Sequence, residues 1–175
     1  MTSEPLTSPF HVSLPEFGVL VGIDYGTKRV GVAVSDREQK FSSPLYNHQR
    51  QGIQGDSRFF RNLVEEYRPA GLVIGLPLHL SGDESEKSRE ARKFAVWLSE
   101  LTQLPHSFQD ERFSSFQAER LMSDAALTKK QRKDRIDKLA AQILLQTFLE
   151  SRQSTSNATQ LLQNAPADEQ DLHPS

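Results

Sequence analysis

Cysteine does not occur anywhere in the 175 residues. Its absence excludes a disulfide framework, a thiolate zinc site, an iron–sulfur cluster and a catalytic thiol, and it suits a reducing compartment. No apolar run approaches the ~18 residues that a membrane span requires, so no membrane partner is expected. The first 17 residues, MTSEPLTSPFHVSLPEF, lack the basic segment followed by an apolar stretch that marks a secretory signal. The expected location is the cytoplasm. The five histidines, at 11, 48, 79, 106 and 173, have no metal-ligand spacing. Positive charge is not in excess either: 21 Lys and Arg stand against 23 Asp and Glu, a net charge of −2. The two ends carry Glu4, Glu16, Asp168, Glu169 and Asp171 against Arg152 alone, which leaves 20 basic and 18 acidic residues between 18 and 150. A near-neutral core leaves a polyanion partner open, because a local patch supplies the contact energy.

What is present divides the chain into three zones. Residues 1–17, with Pro5, Pro9 and Pro15, read as an extension without a fixed fold. Residues 151–175 are rich in Ser, Thr, Asn and Gln, with Leu161–Leu162 as their one apolar cluster. Such a segment buries too little surface to offset ordering entropy, so a disordered tail is expected. The folded domain is expected over 18–150. It opens with GVLVGID (18–24), a near-continuous apolar run with the character of a buried strand. After the turn YGTKR, where Gly26 can supply a positive φ, RVGVAVSD (29–36) forms an antiparallel partner. KFSSPLY (40–46) is a weaker third strand, pushed toward an edge by Pro44.

Helical spacing over 56–68 stops at Pro69, AGLVIGLP (70–77) is a further buried strand, and a helix carrying Ala91, Phe94, Ala95 and Leu98 ends by Pro105. HSFQDER (106–112) is the fifth strand, followed by a short helix near 114–122. The basic stretch KKQRKDR (129–135) then precedes a long helix with Ile136, Leu139, Ala140, Ile143, Leu144, Thr147 and Phe148 on one stripe. The order β-β-β-α-β-α-β-α predicts an α/β fold: a mixed five-stranded sheet flanked by helices.

Three acids carry chemical content. Asp24 closes an apolar strand, where a carboxylate must be solvated, paired or metal-bound; an Asp before a glycine is also common turn chemistry. Glu111 ends another strand, and a surface ion pair is the plain alternative. Asp137 begins the long helix, where an acid in the first turn also suits the helix dipole. With strand one central and the last helix over the sheet, the three can converge. Three carboxylates without Cys or His form a hard-oxygen site suited to Mg²⁺ or Mn²⁺. Two such ions about 3.5–4 Å apart activate a water and stabilise the leaving oxygen of a phosphodiester. Around the acids, Thr27, Lys28, Arg29 and Arg112 are suited to hold a phosphate backbone.

These residues also carry a resemblance. GIDYGTKRVGVAVSD, LVIGLPLHLSGDESEKSREARKF, DERFSS and DKLAAQILLQTFL, in this order, closely resemble the YqgF family. That family comprises RNase H-like proteins described as pre-16S rRNA nucleases and formerly as Holliday junction resolvases. The resemblance runs from about residue 18 to 150. It implies an RNase H-like fold and a metal-dependent endonuclease that matures the 5′ end of pre-16S rRNA during ribosome biogenesis. It places the family's catalytic and metal-binding acids on Asp24, Glu111 and Asp137. The implied partner is nucleic acid, with precursor rRNA preferred over branched DNA, and with it a ribosomal subunit precursor; the chain acts as a monomer or a homodimer. A Holliday junction resolvase-like DNA nuclease and a non-catalytic nucleic-acid-binding assembly factor are the alternatives. DYGTKR is also similar to the phosphate-binding turn of actin-like ATPases and sugar kinases, but those need two such lobes. The departures from the family pattern are the two terminal extensions and His79, where Asn is more usual.

Overall fold

A computed structural model describes residues 13–78, 84–111 and 128–163, with backbone only at 129, 130, 132–138, 158 and 160–163. The elements are β1 (Leu20–Asp24), β2 (Arg29–Ser35), β3 (Ser42–Gln49), α1 (Gly52–Tyr67), β4 (Gly71–Leu76), α2 (Glu86–Thr102), β5 (His106–Asp110) and α3 (Lys129–Gln163). They form one mixed sheet in the order β3-β2-β1-β4-β5. Strand β1 is antiparallel to β2 and parallel to β4, and β4 is parallel to β5. This is the architecture expected from the strand and helix pattern, with Pro44 on the edge strand. The expected helix near 114–122 lies outside the described residues.

Alternation along each strand sorts side chains between two layers. On one face Val21, Ile23, Val30, Val32, Leu72 and Ile74 pack with Phe60 and Leu63 of α1 and with Phe94, Ala95 and Leu98 of α2. On the other, Leu20, Ala33 and Val73 meet Ala141, Leu144, Leu145, Phe148 and Leu149 of α3. Each fully buried side chain of this kind contributes about 1.5–3 kcal/mol. The sheet-facing stripe of α3 is thus turned by one residue from the expected one, with Leu139, Ala140 and Thr147 only half-buried. Gly22 explains the close seat of α3: a Cβ there would stand 2.7 Å from that of Leu145. A side chain on β1 at this point would push the helix off the sheet.

Strand β3 runs on to Gln49 because both ends are tied down. Ser42 donates to the Gln142 carbonyl (3.0 Å) and its N–H to Gln146 Oε1 (2.9 Å). At the other end, Asp56 of α1 is fully buried and accepts from His48 Nε2 (2.8 Å), Arg50 Nε (2.6 Å) and the Gln51 N–H (3.0 Å). A register shift between Val32 and Ala33 absorbs Pro44.

Three expectations are corrected. Gly26 does not take a positive φ; the turn needs glycine because a Cβ would stand 2.4 Å from the Arg29 carbonyl oxygen. The extension is not without structure as far as residue 17, since Leu14 is buried against α3 and its carbonyl accepts from Arg152 Nη2 (2.9 Å). Gln39 joins the same knot through Pro15, Gly18 and Arg152. The polar segment after 150 also continues α3 to Gln163. A nucleated helix adds one hydrogen bond per residue, and here Ser151, Ser154, Thr155 and Thr159 satisfy their hydroxyls on carbonyls of the preceding turn.

Candidate active site

The site is built at the carboxyl ends of β1, β4 and β5. Alternation puts Asp24 on the α3 face, with Leu20 and Gly22 before it. In the parallel ladder Ile23 is opposite Ile74, so Asp24 is followed across the sheet by Gly75. Gly75 is in turn opposite Gln109, and the Glu111 N–H donates to the Leu76 carbonyl (3.2 Å) as β5 ends. Asp24 and Glu111 therefore stand on strands separated by β4. Gly75 lets them meet. A Cβ at that position would lie 1.8 Å from Glu111 Oε1 and 2.4 Å from Leu144 Cδ1. The Glu111 carboxyl thus lies over the bare backbone of β4, under α3, and hydrogen-bonds Asp24.

The electrostatics follow from this placement. Burial and then the adjacent Asp24 charge push the Glu111 carboxyl up to about 7, with Asp110 adding to the effect and Lys87 opposing it. Two carboxyl groups in low dielectric cannot both ionise cheaply, so near neutrality they share a proton unless a cation takes its place. A pair of hard oxygen donors in that state fits Mg²⁺ or Mn²⁺ by its chemistry. Among the described residues no group of three or more His, Cys, Asp or Glu comes together to hold a metal.

The remaining expected residues fall out as follows. Asp137 lies in α3, four residues or about one turn before Ala141, which packs on the sheet; its side chain is outside the description. Arg112 lies outside the described residues. Thr27, Lys28 and Arg29 are exposed in the turn that follows Asp24, with the Lys28 carbonyl accepting from the Arg50 N–H (2.9 Å).

Lys87 is a site residue that sequence reading did not single out. It stands in the first turn of α2, where Ser85 caps the helix by accepting from the Ser88 N–H (3.0 Å). The Ser85 hydroxyl also donates to the Pro77 carbonyl (3.1 Å), which holds the start of α2 against the end of β4. A lysine on the first turn of α2 thus acts by its charge on Glu111. The legible signal was Ser85 with Ser88 at capping distance; nothing in the spacing tied it to Glu111.

Known proteins are similar to this chain along most of its length. The profile of the RuvX family, described as Holliday junction resolvase, matches residues 18–151. A Rhodopirellula baltica protein named "Putative pre-16S rRNA nuclease" is 42% identical over 156 residues, 89% of this chain and 90% of its own. A Rhodobacter capsulatus protein of the same name is 40% identical over 146 residues, 83% of this chain and 92% of its own. Among solved structures, Thermus thermophilus RuvC in complex with a Holliday junction substrate is 14% identical, with a TM-score of 0.49 over 79% of this chain and 97% of that one. With a match that spans nearly the whole sheet and its helices, the chain belongs to the RuvX family, also called YqgF.

Proposed function

We propose that the protein is a metal-dependent endonuclease that hydrolyses phosphodiester bonds at the 5′ end of pre-16S rRNA during ribosome biogenesis. The observation that carries this reading is the half-buried, hydrogen-bonded pair of Asp24 and Glu111 laid over Gly75. Such a pair is costly to keep in a fold unless a cation replaces the shared proton. Asp24, Glu111 and Asp137 would hold Mg²⁺ or Mn²⁺, which supplies an activated water and stabilises the leaving oxygen of a phosphodiester. Asp24 and Glu111 would hold such a cation, and the proton between them would pass to solvent in exchange. Thr27, Lys28 and Arg29 take the phosphates of the strand on the open side of the turn, with Arg112 following Glu111. Lys87 and the start of α2 draw the polyanion toward the acids.

The reading extends to a cytoplasmic protein that meets its RNA on a small-subunit precursor, as a monomer or homodimer. It is supported by relatives named for pre-16S rRNA processing that cover nearly all of this chain. Cleavage of branched DNA is the second reading, favoured by the description of the family; it requires a dimer with two symmetric sites.

Asp24→Asn keeps the shape of the side chain and removes a charge that faces the cation. Losing several kcal/mol of charge stabilisation lowers the rate on the order of 10³-fold. The measurement is cleavage of matched precursor rRNA and junction DNA by one preparation of each protein, in Mg²⁺ and in Mn²⁺. Undiminished cleavage by a folded Asp24→Asn protein would remove the proposal, and preference for the junction would transfer it to DNA.

A further inference from the structure

Directly after Asp24, the chain presents Tyr25 to the other face of the sheet, against the cluster beneath α1 and α2. There it opens a pocket of about 280 Å³. Its walls are aromatic: Tyr25 and Phe94 have ring centroids 5.0 Å apart, and Phe94 and Trp97 5.3 Å. Ile53, 74% exposed, stands at its side. Two cations line it, Arg50 and Lys93, with two acids, Glu90 at the rim and the fully buried Asp56 that pairs with Arg50. The Arg50 guanidinium lies 5.7 Å from the Tyr25 ring and 5.2 Å from the Phe94 ring. It cannot swing away, because the fully buried Asp56 grips its Nε at 2.6 Å and is itself fixed by His48 and the Gln51 N–H.

We propose that this pocket takes one unpaired base of the substrate strand, next to the phosphate held at Asp24. The inference rests on the nucleolytic reading and adds to it the form of substrate: a strand single at that nucleotide. Aromatic rings beside fixed guanidinium and ammonium groups are the combination that binds single strands, through stacking and backbone charge. The volume falls just below the ~300–1,000 Å³ of sites for drug-sized ligands, room for one planar ring system but not for a base pair. Continuity fixes the occupant. Asp24 and Tyr25 are adjacent residues at the carboxyl end of β1 that face opposite sides of the sheet, so a strand that crosses the end of β1 from the acids reaches the Tyr25 side with its next base.

Trp97 is the chain's one tryptophan, so its fluorescence reports on this pocket alone. The full chain, in EDTA, is titrated with a short single-stranded RNA, with an abasic strand of equal length, and with a duplex. Saturable quenching is expected with the RNA and none with the duplex. The abasic strand should bind about 5- to 150-fold more weakly, the loss of one stacked base at ~1–3 kcal/mol. Ile53→Glu and Lys93→Glu, both at exposed positions, should each weaken the quenching while leaving the melting temperature unchanged. Equal binding of the abasic strand, or emission that does not respond to RNA, overturns the pocket. Cleavage without quenching defeats the pocket and leaves the nuclease standing. Quenching without cleavage of any substrate does the reverse.

Discussion

Asp56 and Glu111 are both withdrawn from solvent, the first fully and the second in part, and their surroundings are opposite in sign. Asp56 sits between α1 and the end of β3 with a guanidinium, an imidazole and a backbone N–H all donating to it. Burial alone would raise its carboxyl, but the Gln51 N–H, Arg50 and His48 together hold it below the usual carboxylate range. Glu111 is half-buried at the other side of the sheet against a second acid, and desolvation plus that charge lift it to about 7. The first acid is satisfied by the chain itself. The second faces another acid, and a proton or a cation from outside relieves that pair. The two carboxylates thus differ in the sign of the charge that meets them, cations for Asp56 and another acid for Glu111.

Removing the satisfied acid should have the largest effect on stability. Asp56→Ala leaves the Arg50 charge and His48 beside an empty, desolvated place, a loss of about 3–5 kcal/mol for a broken buried pair. It also loosens Ser42–Gln49 at its far end and the Arg50 wall of the Tyr25 pocket. Chemical denaturation at pH 7 reads the loss; a change below about 1 kcal/mol would mean that the network is no stronger than a surface ion pair.

Removing the acid that faces another acid should act the other way. A carboxyl whose folded pKa is raised adds stability that is complete below its ordinary 4.5 and lost as pH rises through about 7. In metal-free protein Glu111→Gln should therefore be the more stable form at pH 8, by on the order of 2 kcal/mol, and the two should converge below pH 4.5. Mg²⁺ or Mn²⁺ at a hundred times its Kd would stabilise the unaltered chain by about 2.7 kcal/mol and the Gln variant by far less. Thermal melts across pH, with EDTA and with each metal, test both halves. A Gln variant less stable than its parent at pH 8 would end the contrast between the two acids.

Much of this arrangement is legible from residues in order, and the part that is not has a physical reason. Apolar runs and their turns specify five strands, and Pro44 marks the edge, because strand burial and proline's missing N–H are local properties. Asp24 and Glu111 stand out as carboxylates ending such runs. Their meeting depends on Gly75, which looks like any glycine before Leu76-Pro77 until β4 is seen to lie between the two acids. The stripe on α3 is offset because the fit of Leu145 against Gly22, a tertiary contact, decides which side faces the sheet. The helix past Glu150 is missed for the converse reason. Its low apolar content forbids a helix standing alone, yet Leu149 and Arg152 have already anchored the turn from which it propagates.

Lys87 offers the smallest and most selective test of the contrast. It is exposed, makes no part of either core, and acts on Glu111 through charge alone, in the direction that favours the ionised carboxylate. Among the described residues, the charges that act on Glu111 are Asp24 from β1, Asp110 beside it in the chain and Lys87 from α2. Lys87→Ala leaves only the acids, so the pH at which the metal-free chain loses stability should move upward from about 7. The displacement should be less than about one unit, because the charge is solvated. The same substitution should leave stability at pH 4 unchanged, since Glu111 is protonated there with or without its lysine. Salt separates this from a packing effect: raising ionic strength should shrink the difference between the two proteins, as screening does for exposed charges. A midpoint that stays in place at low salt would mean that the start of α2 is too far from the acid pair to attend a phosphate there.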